Sequence, residues 1–209
     1  MANLSHRSLM NTLWIQIAAA LIMLSAAAIA VRFKLALPKA ASPSRSHHEP
    51  AWLKYVINIV AAFLGVVTLW STFHPTQFTT LPTIVVIGLQ IAAAVSGLLA
   101  CGLMFLSLAT LGTNFSGTSG TYSNHQLVLS GPYRYVRHPY YLATACIILS
   151  LSLLLGSIAV AFLGCLLLLA LSIRSRAEDR ELREKFGEAY EKWERNTGSF
   201  LPRIRSQSP

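Results

Sequence analysis

The sequence predicts an all-α integral membrane protein with about five transmembrane helices, the last two forming a helical hairpin, followed by a cytoplasmic amphipathic C-terminal helix. Three observations predict it. Hydrophobic residues make up 54% of the chain and charged residues only 12%, about half the charge of an ordinary soluble domain. The apolar residues are gathered into long charge-free runs rather than spread. The acids, apart from Glu49, are confined to Glu178–Glu194. Such a chain has too little polar surface for a water-soluble globule and too much hydrophobicity for disorder.

The first run, Leu13–Val31, carries no charge and has Trp14 at its edge. At 1.5 Å per residue it crosses a hydrocarbon core of about 30 Å. Arg7 ahead of it and the small residues 26–30 also fit a signal peptide, but the run is long for one and Arg32 and Lys34 follow directly, so a retained helix is expected. Residues 38–50, rich in Pro and Ser, read as a loop. A second span runs from Trp52 to Trp70, bounded by aromatics as at membrane interfaces. A third runs from Ile84 to Leu111, with Ala92, Ala93, Ala94, Ser96, Gly97 and Gly102 available for close helix packing.

Leu142–Ile173 has 32 residues and no charge, too long for one straight crossing of about 30 Å. Gly156–Ser157 near its middle predicts a break into two arms, each short for a full crossing. Charge placement supports the hairpin. The first loop contains Arg32, Lys34, Lys39, Arg45 and Lys54, the third contains Arg134 and Arg137, and nine basic residues lie from Arg174 onward. The positive-inside rule puts these three on the cytoplasmic side, which requires an even number of crossings between the third loop and the tail. In the tail, Leu182, Phe186, Tyr190 and Trp193 recur at helical spacing, and Glu181–Lys185, Glu188–Lys192 and Glu191–Arg195 suit a solvated face.

Several function classes are disfavoured. The spans contain almost no ionisable group, Gln90 being their notable polar side chain, which argues against a transporter or proton pump. The net charge of +9 fits membrane topology and lipid contact, and no basic stripe interleaved with aromatics suggests nucleic acid. Cys101, Cys146 and Cys165 lie in apolar runs without ligand spacing, and no metal is expected.

Chemistry concentrates in the segments bracketing the hairpin. Residues 125–141 read HQLVLSGPYRYVRHPYY, with four tyrosines, two arginines and a histidine within nine residues. By composition this also suits an interfacial anchor. After the hairpin come Arg174 and Glu178, one helical turn apart and aimed toward His138. The ordered set H-x-L-V-x-S-G-P-Y-R-x-V-R-H-P-x-Y, then R-x-x-x-E, then F-G-x-x-Y resembles the isoprenylcysteine carboxyl methyltransferase family, itself related to the phospholipid methyltransferases, over about residues 112–204. Departures are Ala143 for a glycine, Glu178–Asp179 for a Glu-Glu pair, and Arg195–Gly198 ahead of Phe200-Leu201-Pro202 in place of Arg-Val-Pro.

The resemblance implies a three-helix membrane region, 1–111, and a cofactor-binding methyltransferase region, 112–209, using S-adenosylmethionine. It implies that His125, Gln126, Leu127, Val128, Tyr133, His138, Pro139, Tyr140, Tyr141 and Glu178 line the cofactor. Arg174 would meet the carboxylate of a prenylated cysteine or similar lipidic acid. The chain has no strand–GxGxxG–helix unit for a soluble-type cofactor fold. Tyrosine faces suit a sulfonium and an adenine ring. A phospholipid amine, another small hydrophobic amine or thiol, a nicotinamide-dependent reductase or a non-catalytic membrane scaffold remain as alternatives.

Overall fold

The structure, a computed structural model, describes residues 2–36, 49–76, 81–112 and 126–203, with side chains from residue 12 onward. Among the described residues six α-helices follow in order: α1 Ala2–Leu35, α2 Ala51–Phe73, α3 Thr83–Leu111, α4 Pro139–Leu155, α5 Ile158–Phe186 and α6 Glu188–Asn196. A short 3-10 turn, Gly131–Arg134, precedes α4. Four of the helices are long and apolar enough to cross a membrane, in α1 over Thr12–Leu35. The shorter apolar helix α4 has 17 residues, about 26 Å of axis, so the expected short first arm of the hairpin holds.

The hairpin turn follows from its residues. Gly156 takes a left-handed conformation with φ 62° and ends α4 by donating its N–H to the Ser152 carbonyl; glycine adopts this geometry without a Cβ penalty. A Cβ there would also collide with the Thr76 carbonyl. Ser157 then caps α5, its side chain accepting from Val160 N at 3.4 Å. Thr76 N donates to the Leu155 carbonyl at 3.0 Å, and the Ser71 and Ser157 hydroxyls are 3.0 Å apart. The exit of α2 and the hairpin turn therefore meet at one end of the bundle.

At its centre, α4 packs against α1, α2, α3 and α5. The seam with α3 is the tightest. There Ser150 donates to the Ala93 carbonyl at 2.6 Å, and a Cβ on Gly97 would overlap Ser150 and Ile22. The small residues of α3 are used unequally. Ala93 and Gly97 are buried, whereas Ala92 is exposed and Gly102 has open space around its Cβ position. The core contains Ile22, Leu53, Leu108, Ala143, Leu154 and Leu155, all within 1% of full burial. Outward-facing Leu24, Phe63, Leu99 and Phe162 are each more than 60% exposed. Such apolar faces, costly in water, are the lipid-facing surface of an integral membrane protein.

One element differs from expectation. The second hairpin arm and the start of the tail form one helix, α5, because nothing between Ile173 and Phe186 breaks it. Gly187, at φ 52°, ends that helix and starts α6. Leu182 and Phe186 thus lie on α5 while Tyr190 and Trp193 lie on α6. Within this corner Glu181 is buried rather than solvated.

Candidate active site at the α4–α5 mouth

The loop before α4 is fixed by a return of the chain's end. Tyr135 N and Val136 N both donate to the Pro132 carbonyl, closing the 3-10 turn. Beyond it, Arg137 N donates to the Gly198 carbonyl at 2.8 Å and His138 N to the Ser199 carbonyl at 3.0 Å. Val136 and Gly198 form an isolated parallel bridge. Pro139 follows at the first helical position, where a missing N–H costs nothing. The His138 side chain therefore projects from a backbone held on both sides.

On the facing helix, Arg174, Glu178 and Asp179 emerge where α5 leaves its apolar part. His138 lies between the two acids, with Nε2 3.0 Å from Asp179 Oδ1 and Nδ1 3.6 Å from Glu178 Oε2. The first is a hydrogen bond and the second a charge contact. Tyr141 stacks on the imidazole at 5.6 Å and 11°, and Phe200 closes its other approach at 5.6 Å. Burial alone would disfavour the charged ring. The hydrogen bond to Asp179 and the charges of both acids outweigh it and push the imidazole up to about 9, so His138 is an imidazolium at neutral pH.

Asp179 anchors the inner side. It also accepts from Tyr190 OH at 2.5 Å and from Arg137 Nη2 at 3.4 Å. Arg137 Nη1 in turn donates to the Thr197 carbonyl at 2.7 Å and the Glu194 carbonyl at 3.2 Å, holding the end of α6. Trp193 Nε1 donates to the Tyr133 carbonyl at 3.2 Å, which ties α6 to the 3-10 turn. Burial, then the charge of Glu178 and the neighbouring Tyr140, raise the Tyr133 phenol above its usual range.

Glu178 governs the outer side. It accepts from Tyr141 OH at 2.6 Å and lies 3.5 Å from Arg174 Nε. The same nitrogen is 3.7 Å from Glu49 Oε1, carried by the residue just before Pro50 and α2. Contact between Glu49 and Arg174 puts the entry to α2 at the same end of the bundle as the start of α4 and the charged part of α5, opposite the hairpin turn. Two carboxylates thus approach one guanidinium nitrogen.

The structure thus brings together Arg174, Glu178, His138 and Tyr141, with Tyr140 beside them and Pro139 fully buried. Tyr133 is buried, within reach of the charge of Glu178. Gln126, Leu127 and Val128 lie in the extended segment entering the 3-10 turn, Gln126 exposed and the other two half-buried. His125 lies outside the described residues. Sequence reasoning missed Glu49, Arg137, Asp179, Tyr190 and the strap at 197–200. Two signals pointed to some of them: the pair of adjacent acids at a membrane exit, and the isolation of Glu49 from every other acid.

Residues 90–184 match the model of the isoprenylcysteine carboxyl methyltransferase family. The chain is 38% identical over 110 residues to the cobalt-zinc-cadmium resistance protein CzcN of Cupriavidus metallidurans, covering 51% of this chain and 50% of that protein. The chain therefore spans about half the length of the curated relative it matches. Its fold is similar to the solved structure of the eukaryotic intramembrane Ras methyltransferase ICMT, with a TM-score of 0.51 and 20% identity, covering 75% of this chain and 55% of that one.

Proposed function

We propose, from the match of residues 90–184 to the isoprenylcysteine carboxyl methyltransferase family, that this chain is a methyltransferase of that kind and methylates the carboxylate of a prenylated cysteine or a similar lipidic acid, using S-adenosylmethionine. One observation carries the reading: Glu178, Tyr141 and Arg174 meet at the membrane mouth, with Glu178 set against His138. That donor set fits the cofactor. The carboxylate of Glu178 suits its cationic end, and the rings of Tyr140 and Tyr141 suit a sulfonium or a flat base.

S-adenosylmethionine held there would supply an electrophilic methyl group on a sulfonium that leaves as a neutral thioether. The residues of the chain bind and align. Glu178 and the tyrosines hold the cofactor side, with Gln126, Leu127, Val128 and Tyr133 completing it from the preceding segment. Arg174 draws the acceptor carboxylate in line. Such a carboxylate is already ionised near neutral pH, so no side chain needs to take a proton. Accordingly His138, protonated and clamped between two acids, positions Glu178 rather than acting as a base. Alignment and exclusion of water provide the rate enhancement.

Residues 112–209 supply the cofactor side on this reading, and 1–111 the membrane wall. A lipidic acceptor reaches the mouth sideways from the bilayer. The basic residues of the first loop, third loop and tail support a cytoplasmic site end, in the endoplasmic reticulum of a eukaryote or the inner membrane of a bacterium. Calorimetric titration of the detergent-purified protein with S-adenosylmethionine tests the reading. Saturable binding weakened at least tenfold by Glu178→Ala is expected, on the scale of a lost charge-assisted contact. A well-folded sample that binds no cofactor sinks it and promotes the scaffold alternative.

A further inference from the structure

The F-G-x-x-Y motif ends on Tyr190, which lies on α6 and outside the set assigned to the cofactor. Tyr190 is fully buried, and its hydroxyl donates to Asp179 Oδ1 at 2.5 Å. The two residues are 11 positions apart. On one continuous helix that separation is about 16 Å of axis, far beyond a hydrogen bond. Gly187, at φ 52° and ψ −129°, breaks the helix and folds α6 back on α5. Among the described residues, a Cβ at Gly187 would meet nothing within 4 Å, so glycine serves there through its backbone angles and not through its size. The bend is what delivers the Tyr190 hydroxyl to Asp179.

Asp179 is pulled from two sides. Tyr190 OH and His138 Nε2, at 2.5 and 3.0 Å, both engage Oδ1, whereas Arg137 Nη2 reaches Oδ2 at 3.4 Å. With Tyr190 in place the carboxylate keeps Oδ1 toward the imidazole. Without that hydroxyl the balance shifts to Arg137, whose guanidinium is always charged, and the carboxylate turns away from the ring. His138 passes the effect on, since its Nδ1 lies 3.6 Å from Glu178 Oε2. We propose that Tyr190 is a positioning residue: through Asp179 it fixes the ring of His138, and through that ring the Glu178 carboxylate that meets the cationic end of the cofactor. The ionisable groups around His138 are Glu178 and Asp179 on α5, Tyr141 on α4 and the adjacent Arg137. Behind them stand Tyr190 and Glu194 on α6, and Arg174 beyond Glu178. This proposal rests on the cofactor reading above.

Tyr190→Phe removes the hydroxyl and keeps the ring. Titration of His138 is followed on the full chain in detergent micelles through nitrogen-15 imidazole resonances, assigned by their loss in His138→Gln. The wild-type midpoint lies at about 9. In Tyr190→Phe it should fall by about one pH unit, a tenfold loss in the preference for the charged ring. Calorimetric titration with S-adenosylmethionine gives the second readout. Affinity should weaken about threefold more at pH 8.5 than at pH 6, where the ring is charged in both proteins. A midpoint that stays or rises overturns the proposal. A binding deficit equal at the two pH values also overturns it, because lost packing would act alike at both.

Should Tyr190→Phe fail to fold, wild type alone decides. Burial and the charge of Asp179 raise the Tyr190 phenol above its usual range, so the phenol itself does not ionise near pH 9. Its carbon-13 ring resonance should nevertheless move with the His138 midpoint, because both side chains engage one carboxylate oxygen. A Tyr190 signal that is flat from about pH 8 to 10, across that midpoint, overturns the proposal. Failure of the underlying reading looks different: wild type then binds no S-adenosylmethionine, while the midpoint still judges the hold of Tyr190 on His138.

Discussion

Replacing His138 by Gln removes one positive charge from between Asp179 and Glu178 while keeping a hydrogen-bonding side chain of similar reach. The imidazole is 7% exposed and rises from its ordinary value of 6.5 to about 9. That rise corresponds to about 3 kcal/mol of stability carried by the imidazolium and its two carboxylates. Because the folded-state value exceeds the unfolded one, this contribution is complete below about pH 6.5. It is lost as pH rises through about 9. The difference between wild type and His138→Gln should therefore be widest near pH 6 and shrink toward pH 9.5, leaving the smaller hydrogen-bond part.

Thermal unfolding of both proteins in the same detergent, at half-unit steps of pH, reads that difference directly. Groups titrating elsewhere cancel between the two curves. For a chain of this length about 3 kcal/mol is roughly 6–12 °C of melting temperature. A gap that stays constant from pH 6 to 9.5 would refute the reasoning, because His138 would then contribute through packing on Tyr141 and Phe200 and not through charge.

Arg174→Ala should lower methyl transfer to a carboxylate acceptor by about a hundredfold or more, the cost of losing a buried charged partner. Cofactor affinity should change little, which separate titration and turnover measurements would check; undiminished transfer sinks the carboxylate assignment. Gly198→Ala places a Cβ against the Leu201 carbonyl, a backbone atom that cannot turn aside. It should cost about 1–3 kcal/mol and expose the strap at 197–200 to limited proteolysis. Gly97→Ala pushes α3 away from Ser150 and Ile22, with a loss of about 1–3 kcal/mol. Adding Ser150→Ala should return part of that loss, and additive destabilisation in the double variant would place the strain elsewhere.

Membrane helices are legible in sequence because the bilayer imposes one length and one polarity on every crossing. The start of α3 at Thr83 and the break at Gly156–Ser157 follow from that rule and from glycine's access to positive φ. Charge bias, a sum over loops, likewise grouped the first loop, third loop and tail before any contact was known. The single helix from Ile158 to Phe186 was not legible, because a change from apolar to charged residues alters a helix's surroundings without breaking its hydrogen-bond ladder.

Within the site, local spacing brought Arg174 and Glu178 onto one helical face, a consequence of the 3.6-residue period alone. It left Asp179, one residue further on, without a role. Asp179 gains its partners only when His138 arrives from α4, Tyr190 from α6 and Arg137 from the strapped loop. Glu49 lies 125 positions before Arg174 along the sequence, and no periodicity relates the two. Sequence alone determined which segments are long and apolar enough to enter a membrane and where polar and aromatic side chains cluster beside them, since both depend on composition and local spacing. Tertiary structure decided which carboxylate holds which cation, because ion pairing depends on distances between chain segments that only packing sets.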